Sequence, residues 1–191
     1  MVMKTETDII QLIEEDSWMM DIIHATAKLQ LPDWWVCAGF VRAKIWDTMH
    51  QFSKRTPLSD IDVIFFDPTQ PEEEYEKRLE KQLSFILPGI PWSVKNQARM
   101  HKVNSLSPYL SSMDAMANFP ETATAIGVKT NQYGDIVISA PHGIKDVLNL
   151  EVKPSPRFLS DKELLKIFEQ RMKRKEWKRN WHNLTIYKGD V

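Results

Sequence analysis

The 191 residues contain one cysteine, Cys37, so the chain can form no internal disulfide, and without clustered Cys or His partners it offers no structural zinc site. No apolar run approaches the roughly 18 residues of a membrane-spanning helix. Met1 to Ile10 is polar and acidic, whereas a secretory leader is basic and then apolar. The expectation is a cytoplasmic protein in a reducing compartment. Net charge is nearly absent too: 25 basic against 26 acidic residues leave −1, so no global field draws the protein to nucleic acid or to an anionic membrane. There is no internal repeat and no low-complexity tract. With 42% hydrophobic and 27% charged residues, the composition is that of an ordinary globular chain and excludes wholesale disorder.

Charge is present but unevenly spread. Seven carboxylates stand against Lys4 and Lys28 between Met1 and Asp33, while Lys162 to Trp181 carries eight Lys and Arg against three Glu. Two solvated helix faces of opposite sign explain this better than an RNA grip by Lys173, Arg174, Lys175, Lys178 and Arg179, with Trp177 as an inward anchor. The length suits one domain over 1–191, with a core at about 8–103 and an added hairpin and C-terminal helix over 104–181.

Apolar residues recur at helical spacing from Asp8 to Leu29, with a break and re-cap at Asp16-Ser17. Trp34 to Gly39 is a short apolar run that suits a buried strand, and Phe40 to His50 reads as a helix. The strongest strand signal is Asp60-Ile61-Asp62-Val63-Ile64-Phe65-Phe66, stopped by Asp67-Pro68. A helix over Glu72 to Phe85 and a strand over Trp92 to Asn96 follow, giving strand, helix, strand, helix, strand. The second half predicts a short helix near Ser111 to Asn118 and a hairpin of Thr122–Lys129 with Asp135–Ser139. A last helix covers Asp161 to Trp177.

Chemistry concentrates at Asp60 and Asp62. Residues two apart on a strand share a face, so the two carboxylates stand side by side while Ile61 and Val63 point into the core. Adjacent anions call for a cation, and a hard divalent ion such as Mg²⁺, with a triphosphate as further ligand, answers that need. Gly39, at a strand-to-helix turn, leaves room for phosphate near the free N–H groups of the helix. Each element is common by itself: D-x-D is more often a surface feature, and a turn glycine is usually only a turn. Arg99 and His101 suit either a phosphate contact or a structural hydrogen bond, and Thr122 and Thr124 suit a nucleotide or simply a strand. Asp114 and Glu121 are further acids in loops.

Taken together, strand, Gly39, helix and Asp60-x-Asp62 resemble the nucleotidyltransferase superfamily related to DNA polymerase β. The segments Ala38-Gly39-Phe40-Val41-Arg42, Asp60-Ile61-Asp62-Val63, Val94 to His101, Thr122 to Val128 and Ala140 to Ile144 are similar to a group of small bacterial nucleotidyltransferase-like proteins. The resemblance implies an α+β fold, a mixed sheet flanked by helices. It also implies transfer of a nucleoside monophosphate from a Mg²⁺-bound nucleoside triphosphate to a hydroxyl on RNA, protein or a small molecule. A catalytically degenerate nucleotide-binding or protein-interaction member is the alternative. On this resemblance Asp60 and Asp62 are catalytic and hold the metal, while Gly39, Arg42, Ser59, Asn96 and Arg99 bind the nucleotide. Two departures stand out. Phe40 occupies the place of a second small residue after Gly39, where Arg42 can substitute as a phosphate ligand. Asn96 occupies the third-strand place of a third carboxylate, and an amide cannot act as a base near neutral pH.

Overall fold

The computed structural model describes residues 3–104 and 106–187. Helix α1 (Glu6–Glu14) starts at Thr5, whose hydroxyl accepts from the Asp8 amide while the Asp8 carboxylate accepts from the Thr5 amide, a reciprocal cap. Asp16 ends the intervening turn and caps α2 (Ser17–Ala27) through the Met19 amide, so the sequence break is a true re-cap. Next come β1 (Trp35–Cys37), α3 (Gly39–Met49), β2 (Ile61–Phe65), α4 (Glu73–Ile86), β3 (Trp92–Asn96) and the short α5 (Gln97–Met100). The second half supplies α6 (Ser112–Ala117), β4 (Gly127–Thr130), β5 (Ile136–Ser139), α7 (Lys145–Leu148), β6 (Glu151–Val152), α8 (Pro156–Leu159), α9 (Lys162–Lys175) and β7 (Thr185–Ile186).

Five strands form one mixed sheet in the order β3-β2-β1-β4-β5, with β2 and β3 parallel and the other neighbours antiparallel. The fold is α+β. Alternation divides the sheet into two faces. Val36, Ile61, Val63, Phe65, Val94 and Val128 join the larger core with the apolar sides of α1 to α4 and α9. Trp35, Cys37 and Ile64 face a smaller cluster closed by Met116 and Ala125. Trp34 and Trp35 therefore point to opposite faces, as strand geometry requires.

The second half departs from the sequence reading at two places. Thr122–Thr124 is a 3₁₀ turn rather than the start of a strand, and pairing begins only at Gly127. There a Cβ would lie 2.9 Å from Met116 Cε and 3.2 Å from Cys37 Cβ, so glycine permits the close approach of β4 to β1. The parallel pair β6 and β7, two residues each, has no periodicity to read and forms because α9 brings the chain end back to Glu151–Val152.

Helix α4 covers the outer edge of β3 with side chains. Glu80 accepts from the Val94 amide at 2.9 Å and Glu76 from the Asn96 amide at 2.8 Å, two acceptors one helical turn apart meeting two donors two strand positions apart. Glu76, fully buried, also receives both Nε and Nη2 of Arg99 at 2.7 Å. Removing one partner of a buried pair leaves an unmet charge or donor, so Glu76→Ala is expected to lower unfolding stability by about 3 kcal/mol. Glu76→Gln, which still accepts from Asn96, is expected to cost less. Urea midpoints for both variants check this, and equal midpoints for wild type and Glu76→Ala would contradict it.

Candidate functional site

The turn from β1 into α3 opens one end of the sheet. Ala38, not Gly39, carries the unusual backbone there, with φ 56° and ψ −118°, a region that L residues rarely adopt. Its amide is tied to the Ile126 carbonyl at 2.9 Å. Helix α3 has no side-chain cap, so its first amides are left for a ligand or solvent. Gly39 would tolerate a Cβ, the nearest atoms being Arg42 Nη2 at 3.7 Å and a Leu58 methyl carbon at 3.8 Å. The glycine contributes open space, not backbone freedom.

That turn forms one wall of a polar cleft of about 200 Å³ lined by Gly39, Arg42, Ser59, Asp60, Asp62 and, from the C-terminal helix, Arg171 and Lys175. A second cleft of about 230 Å³ shares Ala38, Asp62 and Arg171 with the first and continues over Lys95, Gln97, Phe119 and Thr124. Asp62 stands where the two join. Asp60 lies just before β2 and is exposed, with the Ser59 hydroxyl donating to it at 3.2 Å.

Charge in this cleft is crowded and, at Asp62 and Arg42, withdrawn from water. Burial, and then the neighbouring Asp60, raise the Asp62 carboxyl above its usual range, against an opposing hydrogen bond from Ser93 and the fields of Arg171 and Arg42. Burial also brings the Arg42 guanidinium down to about 10, partly offset by Glu121, Asp62 and Asp60. Lys175 is lowered by burial and by Arg171. Arg171 is held by fully buried Glu121, whose other oxygen accepts from Thr124 at 2.7 Å. Cys37, opposite Asp62 on β1, is pushed well up by burial and by that carboxylate, so it remains a thiol and no nucleophile.

Asp60, Asp62, Gly39, Arg42 and Ser59 are thus brought together, and Asn96 and Arg99 are not. The strand register puts Ser93 opposite Asp62 and Lys95 opposite Ile64, while Asn96 lies opposite Phe65. Asn96 therefore has the wrong parity to face the aspartates. Its amide is fully used, accepting from the Asp67 and Ala98 amides and donating to the Asp67 and Gln70 carbonyls at 2.7 and 2.8 Å. Arg99 is committed to Glu76. The third-strand positions beside Asp62 are Ser93 and Lys95, neither a carboxylate. Arg171 and Lys175 line the cleft, whereas the sequence reading left them among the solvated charges of α9. Their spacing of four residues placed them on one helical face, but nothing local marked that face as turned toward the cleft.

Among the described residues, no group of three or more His, Cys, Asp or Glu is arranged to hold a metal. Two hard carboxylate donors, one raised by burial and by its neighbour, do suit an ion such as Mg²⁺, which takes one or two carboxylates and completes its shell with phosphate oxygens and water. Among the described residues no helix is long and apolar enough to cross a membrane.

Residues 24–186 match the family model described as Nucleotidyltransferase. A solved structure described as revealing a CCA-adding enzyme head domain is 36% identical with a TM-score of 0.87, and the alignment covers 97% of each chain. A tRNA-processing enzyme in an apo form aligns at 13% identity and TM-score 0.50 over 99% of this chain and 46% of its own, a likeness of fold alone. A CCA-adding enzyme with ATP aligns at 12% identity and TM-score 0.48 over 88% of this chain and 46% of its own. No curated protein matches. The family model spans most of the chain and a relative of equal extent shares more than a third of its residues, so the protein belongs to this nucleotidyltransferase family.

Proposed function

We propose that the protein transfers a nucleoside monophosphate from a nucleoside triphosphate, bound with Mg²⁺, to a hydroxyl acceptor. The observation that carries this reading is the pairing of Asp60 and Asp62 with Arg42, Arg171 and Lys175 in one cleft at an uncapped helix start. In such a transfer the acceptor oxygen forms a bond to the α-phosphorus. The bond from that phosphorus to the bridging oxygen breaks, pyrophosphate leaves, and the hydroxyl proton is lost to solvent or to a nearby base. Asp60 and Asp62 would hold the divalent ion, which supplies Lewis-acid stabilisation to the phosphate oxygens. Arg42 and Lys175 oppose the charge that grows on the leaving pyrophosphate, and the amides opening α3 orient the phosphate tail. Gly39 keeps that approach clear, and Ser59 holds Asp60 beside it.

A nucleotide-binding protein that transfers nothing is the second reading. It is favoured by the aspartate-facing side of β3, which carries Ser93 and Lys95 where a third carboxylate would supply a base.

Two experiments test these readings. Ligand bound to the native state alone raises its melting temperature by mass action. With millimolar nucleoside triphosphate, wild type is expected to melt higher in Mg²⁺ than in EDTA, and Asp62→Asn to lose that difference. No shift with any triphosphate would defeat both readings. Given binding, a nucleotide labelled at the α-phosphate should mark an acceptor in a cell extract with wild type and not with Asp62→Asn. Binding without labelling would select the second reading, and labelling by the variant would remove Asp62 from the site.

The raised carboxyl of Asp62 also sets a pH dependence. Because its folded value lies above its unfolded value, its contribution to stability is fully present in acid and is lost as pH rises through the folded value. In EDTA at pH 7, Asp62→Asn is therefore expected to melt about 2–4 °C above wild type, with the gap closing as the pH falls. A variant that melts below wild type at pH 7 would show that the half-buried carboxylate is not under strain.

A further inference from the structure

Arg42 is 6% exposed, yet its Nε has no hydrogen-bond partner. The carboxylates that act on it, Glu121, Asp62 and Asp60, do so through space and not through hydrogen bonds. A buried guanidinium left this way is costly unless something else holds it. What holds it is aromatic: its central carbon lies 4.2 Å from the ring centre of Trp177, 5.0 Å from Trp46 and 5.9 Å from Trp181. The three indoles brace one another, Trp46 meeting Trp177 edge-on at 5.5 Å and Trp181 at 5.1 Å. Two of the three rings are also anchored. Trp46 Nε1 donates to the Val147 carbonyl at 3.1 Å, and Trp181 Nε1 to Asp47 at 2.8 Å. The Trp181 amide donates to the Trp177 carbonyl at 2.9 Å. The open end of the guanidinium, Nη2, sits over Gly39 at the start of α3.

We propose that Trp177 and Trp181, carried by the segment after α9, are positioning residues that hold Arg42 unpaired and aimed at the phosphate tail of the nucleotide. This rests on the reading of the cleft as a nucleotide site. Free to turn, a guanidinium so close to Asp60, Asp62 and Glu121 would fold onto a carboxylate and be neutralised before any phosphate arrived. Aromatic faces attract the cation without consuming its hydrogen-bond donors, so the cage keeps Arg42 apart from the aspartates while leaving Nη2 for an anionic oxygen. The segment from Trp177 to Trp181 thereby becomes part of the binding site, although its two indoles would act only through Arg42.

The test uses inorganic tripolyphosphate, which has no ring to stack on an indole, measured by calorimetry in EDTA with the full chain. Wild type is expected to bind. Trp177→Leu, which fills the space without a π face, should bind about tenfold more weakly, and Trp177→Phe should return to within about twofold of wild type. Against an Arg42→Ala background, Trp177→Leu should cause no further loss, because its effect runs through Arg42. Unchanged affinity in a folded Trp177→Leu, or a full additional loss in the Arg42→Ala background, would overturn the positioning role and leave the nucleotide reading standing. No binding by wild type in EDTA would overturn the positioning role, while the nucleotide reading stands or falls on the melting shift in Mg²⁺. If Trp177→Leu does not fold, the indole N–H resonances of Trp177 and Trp181 in the intact chain decide the matter. They should move on adding tripolyphosphate to wild type and stay fixed in Arg42→Ala; resonances that stay fixed in wild type as well overturn the proposal.

Discussion

The alternation of side chains along Ile61–Phe65 is the constraint on which both core and cleft depend. Ile61, Val63 and Phe65 are buried without residue in the larger core, and burying three such side chains is worth about 5–8 kcal/mol. That fixes the register of the strand, since a slip of one residue would turn all three toward the other face. Asp62 is then forced toward the opposite face whether or not a charge is welcome there. The same register fixes Cys37 and Ser93 as its neighbours across β1 and β3. The strain on the carboxylate is thus imposed by the hydrophobic side of its own strand.

Opposing charges in the cleft are kept near one another without being allowed to cancel. Glu121 binds Arg171 directly, so that cation is partly spent within the fold. Arg42 and Lys175 are held otherwise, the first against indole faces and the second on the last turn of α9, and both are lowered by burial. A structure selected for stability alone would pair these groups with Asp60 and Asp62. Leaving them apart costs folding energy, the pattern of a cleft that binds a ligand.

Where elements are long and strongly patterned, the sequence was readable. The re-cap at Asp16, the strand through Asp62, the third strand over Trp92–Asn96 and the amphipathic α9 follow from spacing and capping chemistry. That Gly39, Arg42, Ser59, Asp60 and Asp62 meet in one cleft was legible because they lie on or beside two adjacent elements joined by a recognisable turn. Asn96 failed for a reason of parity: a residue count along β3 that differs by one reverses the face, and the count depends on a register that only the sheet defines. Arg99, which the sequence leaves open between a phosphate contact and a structural hydrogen bond, takes the second, and the nucleotide role fails because its partner, Glu76, sits on a helix 23 positions earlier. Arg171 and Lys175 were hidden because a charge on a helix looks the same from the sequence whether it meets solvent or a cleft on the far side of the chain.

The carboxylates of α4 have a consequence for how this protein meets other chains. A free sheet edge offers a row of amide donors that any extended peptide can use as a template. On β3 two of those donors are already occupied by Glu80 and Glu76, and the Arg99 and Lys95 side chains hold the second carboxylate in place. A foreign strand arriving at this edge finds a charged helix where it needs an acceptor-to-donor ladder. Growth of the sheet from that side therefore requires α4 to detach first, so the free energy of a local opening within one molecule is added to the barrier for joining two.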